Sequence, residues 1–300
     1  MIELRDFDLS DKQWIDELVR LEDSQNAEYN FGNMYLWGQH YKRQVCRMDN
    51  RLAARMNFGS VRDFVFPIGE GSIRPAIDAY TEIARAENRR LKIFCLNEKN
   101  MALLESEYPG RFEYKEIVDA ADYIYSAQKL STYAGRSLHV KKNHCNRFEA
   151  ENEWHFEELT PALLPECERM LETWAEDNAE RLDSSVHIEY SILNRVFREY
   201  EQLGFEGGVL YANGQIVGFT MAERANSDTY DIHFEKAVAT MNGAYPMTCR
   251  EFVRMLIAKH PEVKHINRED DLGLESLRRS KQSYKPEYML RKFRAKEIIR

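Results

Sequence analysis

One order of elements occurs twice along this chain, and it restricts the fold more than any single motif does. DKQWIDELVRLED (11–23) sets Trp14, Ile15, Leu18, Val19 and Leu21 at helical spacing. RQVCRM (43–48) and RLAARMNF (51–58) flank Asp49-Asn50, a hairpin signal, and RDFVFPIG (62–69) reads as a third strand. A helix over 72–89 follows, with Ser72 as its cap and Pro75 in its first turn. LKIFCL (91–96) has the apolar character of a buried strand, 97–109 reads as a helix and 111–126 as a strand. The second half runs through the same list. Helices over 161–180 and 184–204 lead to a hairpin over 206–224 that turns at Asn213-Gly214. A third strand (228–237), a helix (243–261), a strand (264–269), a helix (272–284) and a closing strand (287–296) complete it. Helices alternate with strands while the hairpins demand antiparallel pairs, so the expected class is α/β (α+β), with mixed sheets flanked by helices. Two units are expected, 1–150 and 151–300, joined by a helical segment near 137–154. In each, the third strand, helix and fourth strand should form a right-handed parallel crossover. Helix-start amides then face the carboxyl ends of the strands, where α/β sheets commonly bind ligands.

Composition narrows the setting. The chain is 43% hydrophobic and 31% charged, with no run near the ~18 apolar residues of a membrane span. MIELRDFDLSDKQW lacks the basic start and apolar core of a signal peptide. Cys46, Cys95, Cys145, Cys167 and Cys249 are scattered singly, which argues against a disulfide framework or zinc ribbon. A cytoplasmic protein without stable membrane insertion is expected. The net charge of −8 is unevenly spread: residues 276–300 hold nine basic and two acidic residues, so the remainder carries −15. A basic terminus on an acidic body suits phosphate, a lipid headgroup or tRNA, and equally describes a solvated tail. No DNA partner is expected.

Several chemistries have no motif here. No GxSxG elbow marks a hydrolase, and neither GxGxxG after a strand nor GxxxxGK[ST] marks a nucleotide site. FPIGEGS (66–72) reads as a turn into the helix capped by Ser72.

Two stretches carry titratable groups in suggestive patterns. In YDIHFEKA, strand periodicity puts Asp231, His233 and Glu235 on one face and Ile232, Phe234 and Lys236 on the other. The first row suits deprotonation of an attacking amine, or a hydrogen-bonded sheet face. Three groups on one strand rarely converge on an ion, so no metal is expected. Lys236 faces the other way and is a candidate contact for an anionic group. In INREDDLGLESLRRSKQSYKP (266–286), Glu269, Asp270 and Asp271 match a helix N-terminus, and Arg278, Arg279 and Lys281 match its end. Glu275 is spaced to pair with Arg278 and Arg279, and Leu274 and Leu277 anchor the inner face. Capping does not account for Asn267 and Arg268 at the strand's carboxyl end, or for Ser283-Tyr284, which are crevice positions. The junction cluster Arg136, His139, Lys141, Lys142, His144 and Arg147 reads as a solvated helix or a phosphate contact. His139, His144 and Cys145 do not form a metal set.

These stretches, with the GAY helix start and AGRSLHVKKNHCNRF (134–148), resemble the family related to the C-terminal domain of phosphatidylglycerol lysyltransferases. That group is similar to Fem-type peptidyltransferases and, more distantly, to GNAT acyltransferases. The resemblance implies a duplicated GNAT-like fold, with the active crevice in the second half. It also implies transfer of an acyl or aminoacyl group from coenzyme A or aminoacyl-tRNA to an amine or hydroxyl acceptor. In GNAT enzymes a loop and helix start cradle the cofactor pyrophosphate; the matching stretch is EKAVATMNGAYP (235–246), which points to Asn242, Gly243, Ala244 and Tyr245. It keeps one glycine, lacks the preceding Arg or Gln, and loses an amide at Pro246. A tyrosine near the corresponding GNAT helix protonates the leaving group, which points to Tyr284. The expected site thus has Asp231 and Glu235 as bases, Tyr284 as acid, and Lys236, Asn267, Arg268 and Lys281 at an anionic substrate. The other reading is a non-catalytic GNAT-like protein that binds a phosphate-bearing ligand.

Overall fold

The computed structural model describes residues 2–57, 59, 61–177 and 184–298. Phe58, at the end of one expected strand, and 178–180, at the end of one expected helix, lie outside the described residues. Helices α1 (Lys12–Glu22) and α2 (Phe31–Tyr41) precede strands β1 (Gln44–Met48), β2 (Arg51–Arg55) and β3 (Phe64–Gly69). Then come α3 (Arg74–Ala86), β4 (Lys92–Leu96), α4 (Glu98–Glu107), β5 (Phe112–Glu116) and β6 (Asp122–Ser126). Two helices, α5 (Ala127–Thr132) and α6 (His139–Glu151), lead to β7 (Trp154–Glu158), α7 (Leu164–Asp177) and α8 (Ser184–Leu203). The chain closes with β8 (Glu206–Ala212), β9 (Gln215–Arg224), β10 (Thr229–Ala237), α9 (Ala244–Lys259), β11 (His265–Asn267), α10 (Glu275–Ser283), β12 (Tyr288–Leu290) and β13 (Phe293–Glu297).

The strands form a six-stranded sheet, β1-β2-β3-β4-β13-β5, and a seven-stranded sheet, β12-β6-β11-β10-β9-β8-β7. The pairs β3–β4 and β10–β11 are parallel, as the two crossover segments require, and the other ladders are antiparallel. Each sheet holds one strand from the other half of the chain. β6 lies between β11 and β12, and β13 lies between β4 and β5. The expected strand over 111–126 is therefore two strands, separated by the 3-10 turn Val118–Ala120 and placed in different sheets. The expected closing strand over 287–296 is likewise split between β12 and β13. A boundary drawn at residue 150 does not divide the strands between the sheets.

A buried cation sits at the crossing point. Lys292 follows β12, and its ammonium donates to Asp122 Oδ1 at 2.6 Å and also pairs with Glu28. Asp122 Oδ2 accepts from the Ala27 amide at 3.1 Å and from Asn267 Nδ2 at 3.0 Å. A buried carboxylate needs such partners to stay charged.

The core joins the two halves. Ile15, Leu18, Phe31 and Met34 from α1 and α2 pack in one cluster with Leu193, Val196 and Phe197 of α8 and with Phe219 and Met221 of β9. Each large side chain removed from water in this way contributes roughly 1.5–3 kcal/mol. A second cluster seats α9 on the seven-stranded sheet through Phe252, Leu256, Ile232 and Ile266. Phe148 of α6 belongs to that cluster, so the junction helix packs on α9.

Candidate functional site

The seven-stranded sheet opens where its two parallel strands part. β10 and β11 pair only over Thr229–His265, Tyr230–Ile266 and Asp231–Asn267. β11 ends there, while β10 continues to Ala237. A bulge between Ile232 and Phe234 makes His233 the extra residue against β9. Side-chain alternation changes at that point, which corrects the expected row of three. Asp231 and His233 face α2, where Asp231 Oδ2 accepts from Asn30 Nδ2 at 2.8 Å. Glu235 faces the opposite side, toward Arg268 and Cys249 of α9. Lys236 faces α7 and α8, 2.8 Å from Glu189 Oε2 and 4.3 Å from the Trp174 ring.

Arg268 fills the opening. Its Nη2 donates to Glu235 Oε1 at 2.6 Å, and its guanidinium carbon lies 4.6 Å from the Tyr284 ring centre and 5.9 Å from that of Tyr125. The second Glu235 oxygen, Oε2, has no partner. Lys141 of α6 caps the group, with its ammonium 3.7 Å from the centre of the Tyr284 ring. Among the described residues no carboxylate pairs with Lys141. Partial burial, reinforced by the neighbouring Arg268 charge, brings its pKa down to about 8. Tyr284 is 3% exposed, and burial raises its hydroxyl well above the usual tyrosine value, so it keeps its proton. The arrangement is a phenol between two cations, beside a carboxylate with one free oxygen.

The remaining expected residues are placed elsewhere. Asn267 is buried: its amide donates to the Gln25 carbonyl at 2.8 Å and to Asp122, and its oxygen accepts from the Glu269 amide at 2.7 Å. Lys281 donates to the carbonyls of Arg268 and Asp270, so it holds the loop that presents Arg268. At the α9 start, Asn242 Oδ1 lies 2.7 Å from His144 Nδ1 of α6. Gly243 has φ +90, and a Cβ there would stand 2.4 Å from the His144 carbonyl oxygen. The Ala244 amide donates to the Met241 carbonyl at 3.2 Å. Burial raises the Tyr245 pKa, partly offset by bonds that its oxygen accepts from Trp174 and the Ala237 backbone. α6 therefore packs against the helix start that would cradle a pyrophosphate. Two surface cavities, of about 520 and 420 Å³, lie around His265 and line up with Lys264 and Tyr288, not with Glu235 or Arg268.

Sequence reasoning grouped Lys141 with a solvated junction cluster. The signal for its true position was present. Leu138, Cys145 and Phe148 are the buried positions of this segment, and Lys141 falls on their stripe by helical spacing. Arg136, His139, Lys142 and Arg147 stay exposed.

The segment 266–286 is mostly a structural turn and helix. Asp271 is 4% exposed and accepts from Tyr123 Oη at 2.6 Å, from Arg278 Nε at 2.9 Å and from the Gly273 amide at 2.9 Å. The helix starts later than expected, at Glu275.

Comparison with known proteins fits this geometry. The family model for the C-terminal region of phosphatidylglycerol lysyltransferase matches residues 19–296. A conserved protein of unknown function from Bacteroides thetaiotaomicron superposes with a TM-score of 0.93 at 31% identity, covering 99% of this chain and 100% of that one. L-PGS from Bacillus licheniformis gives 0.65 at 15% identity, covering 96% and 92%. FemX gives 0.62 at 11% identity, covering 99% and 98%, so the likeness to both is one of fold. An uncharacterised curated protein from Mycoplasmoides gallisepticum is 26% identical over 60% of this chain, and the match spans 57% of that protein's length. The expected fold, two mixed sheets flanked by helices in the GNAT-like and Fem-type manner, is the one present. No helix among the described residues is long and apolar enough to cross a membrane. With the family model spanning nearly its whole length, the chain belongs to the phosphatidylglycerol lysyltransferase C-terminal family.

Proposed function

We propose that the protein transfers an aminoacyl group from aminoacyl-tRNA to an amine or hydroxyl acceptor at the crevice between β10 and β11. The observation that carries this reading is the unpaired Lys141 ammonium beside Arg268, Tyr284 and the free oxygen of Glu235. The acceptor nitrogen or oxygen attacks the donor's ester carbonyl carbon. Its bond to that carbon forms as the carbon–oxygen bond to the tRNA ribose breaks. Glu235 takes the acceptor's proton, and Arg268 holds that carboxylate in place. Lys141 offers its charge to the carbonyl oxygen as negative charge develops. Tyr284 gives its proton to the leaving ribose oxygen. Asp231, on the other face of β10, takes no part.

The α9 start favours an aminoacyl ester over a coenzyme A thioester. Pyrophosphate binding needs free amides and open space at a helix N-terminus. Here α6 closes on Gly243, Ala244 N–H is taken, and Pro246 has none. Exposed Arg136, Lys142 and Arg147 on or beside α6 suit the tRNA backbone, so binding should weaken as salt rises. A tRNA donor and free thiols throughout the described residues both fit a reducing cytoplasm.

The test follows loss of labelled amino acid from tRNA, and of the acetyl group from acetyl-coenzyme A, with amino sugars, short peptides and phosphatidylglycerol vesicles as acceptors. Transfer from tRNA that falls at least a hundredfold in Lys141→Ala and Glu235→Gln supports the reading. Transfer from the thioester alone, or from neither donor, overturns it, and so does activity that both variants retain.

A further inference from the structure

The face of β10 turned away from the crevice carries a second constellation, which the proposed transfer does not use. His233 is enclosed by carboxylates. Its Nδ1 lies 2.8 Å from Glu269 Oε1 and 3.7 Å from Asp231 Oδ2, and its Nε2 lies 2.8 Å from Glu223 Oε1. We propose that Asp231, His233 Nδ1 and Glu269 bind a divalent cation, with Glu223 orienting the imidazole through Nε2.

The donor geometry is the first support. One ligand atom from each of Asp231, His233 and Glu269 lies within 4.8 Å of the others. First-row divalent cations bind imidazole nitrogen and carboxylate oxygen at about 2.0–2.2 Å, which a small inward movement of these side chains would give. The second support is independent of that cluster's own bonds. Asp231 is fully buried, and its Oδ1 has no hydrogen-bond partner. Asn30, whose Nδ2 donates to Asp231 Oδ2, also has a buried Oδ1 without a partner. Both oxygens lack a positive or donating group, which is unfavourable for buried acceptors. A cation would satisfy acceptor oxygens where another carboxylate would not.

Charge and orientation agree. Three carboxylates surround one imidazole, an excess of negative charge that buried sites seldom tolerate uncompensated. The N-terminus of α2 relieves part of it, since the Gly32 amide donates to Glu223 at 2.8 Å and Asn33 Nδ2 to Glu269 at 3.3 Å. Neither reaches Asp231 Oδ1. The Glu223–His233 contact has the form of the carboxylate that fixes a ligating histidine's tautomer and ring orientation. Entry is past Glu269, whose side chain is 23% exposed against 3% for His233 and 0% for Asp231. One nitrogen with oxygen donors and no thiolate selects a borderline or hard ion, Zn²⁺ or Mn²⁺, over a soft one. Asn30, at the start of α2, would hold the first half of the chain beside the ion through its bond to Asp231 Oδ2.

The experiment uses the full chain, stripped with a chelator and then titrated with Zn²⁺ or Mn²⁺ alone. Bound metal is measured by elemental analysis after dialysis, and stability by thermal melting. The expected result is one ion per chain and a raised Tm. Asp231→Asn and Glu269→Gln, which keep side-chain size, should each weaken binding at least tenfold, and Glu223→Gln by about 10–100-fold. Circular dichroism of the metal-free variants separates lost binding from lost folding. Absence of bound metal and of any melting response to either ion overturns the proposal. So does binding that the folded Asp231→Asn and Glu269→Gln variants retain, which would put the ion elsewhere.

Discussion

Gly243→Ala offers a direct test of how the α9 start is used. The residue has φ +90, where a Cβ crowds its own backbone, and for L-residues the left-handed region costs roughly 1–2 kcal/mol. The added methyl would also stand 2.4 Å from the His144 carbonyl oxygen and 2.9 Å from Phe148 Cβ. Both belong to α6, so neither can swing aside as a flexible side-chain end could. Overpacking of this kind costs typically 1–3 kcal/mol, which brings the total to about 2–5 kcal/mol. Gly214→Ala, in the left-handed Asn213-Gly214 hairpin turn, is the internal control: its φ is +79 with nothing within 4 Å of the added Cβ, so only the conformational part applies. Urea denaturation of wild type and both variants, followed by circular dichroism, gives the difference. Gly243→Ala should lose more stability than Gly214→Ala by the cost of the contacts. Equal losses would refute the reasoning. A Gly243→Ala protein of unchanged stability with selectively lost donor binding would return the α9 start to the phosphate-cradle role.

Three further outcomes follow from the same geometry. Lys141 is protonated up to about pH 10.5 in the unfolded chain but only to about 8 when folded, so the unfolded state holds more protons between those values. Stability of wild type relative to Lys141→Met should therefore rise with pH across that window, and a flat difference in paired urea melts removes the claim. Asn267→Ala leaves the Gln25 carbonyl without this donor and the Glu269 amide without its acceptor, while Asp122 keeps Lys292 and Ala27, and should cost about 3 kcal/mol, from roughly 1–3 kcal/mol per orphaned buried group. Donor affinity of its folded fraction should match wild type; a selective affinity loss at full stability would restore Asn267 to the substrate. Asp271→Ala strips partners from the Tyr123 hydroxyl, the Arg278 guanidinium and the Gly273 amide, and should cost about 2–4 kcal/mol rather than the ~1 kcal/mol of a simple cap, as chemical denaturation will show.

What the sequence made legible is local. Helical stripes such as Ile15, Leu18 and Val19, and turns such as Asn213-Gly214, are set by neighbours a few residues away, so element order could be read twice and mixed sheets inferred. What it hid is set at long range. Nothing within DYIYS (122–126) states that its strand will lie beside β11, and nothing within FRAKE (293–297) states that it will lie beside β4. Those pairings are accompanied by a contact between Lys292 and Asp122, 170 residues apart in the chain. The candidate site shows the same division. Period-2 alternation put Glu235 with Asp231 and His233, and a single bulge at His233 undid it, because one extra residue reverses every side chain beyond it. Arg268 is expected from its place at a strand's end, whereas Lys281 and Asn267, equally polar, are consumed in holding the loop that presents it.

That loop explains why the crevice draws on both halves. Tyr125 of β6 donates its hydroxyl to the Lys281 carbonyl at 2.7 Å, and its ring faces Arg268. Lys281 in turn binds the Arg268 carbonyl. The Arg268 amide donates to the Tyr123 carbonyl at 3.1 Å, again from β6. The position of the guanidinium opposite Glu235 is thus fixed by a strand lent from the first half of the chain, and Lys141 comes from the segment that connects the halves. Strand exchange is therefore more than a topological detail here. It places Arg268 and Lys141 under the control of residues 122–141 and Glu235 under β10, so the contact between Arg268 and Glu235 depends on how those two parts of the chain are held together. The buried Lys292–Asp122 pair anchors the start of β6, which ties the geometry of the proposed site to a contact on the far side of that strand.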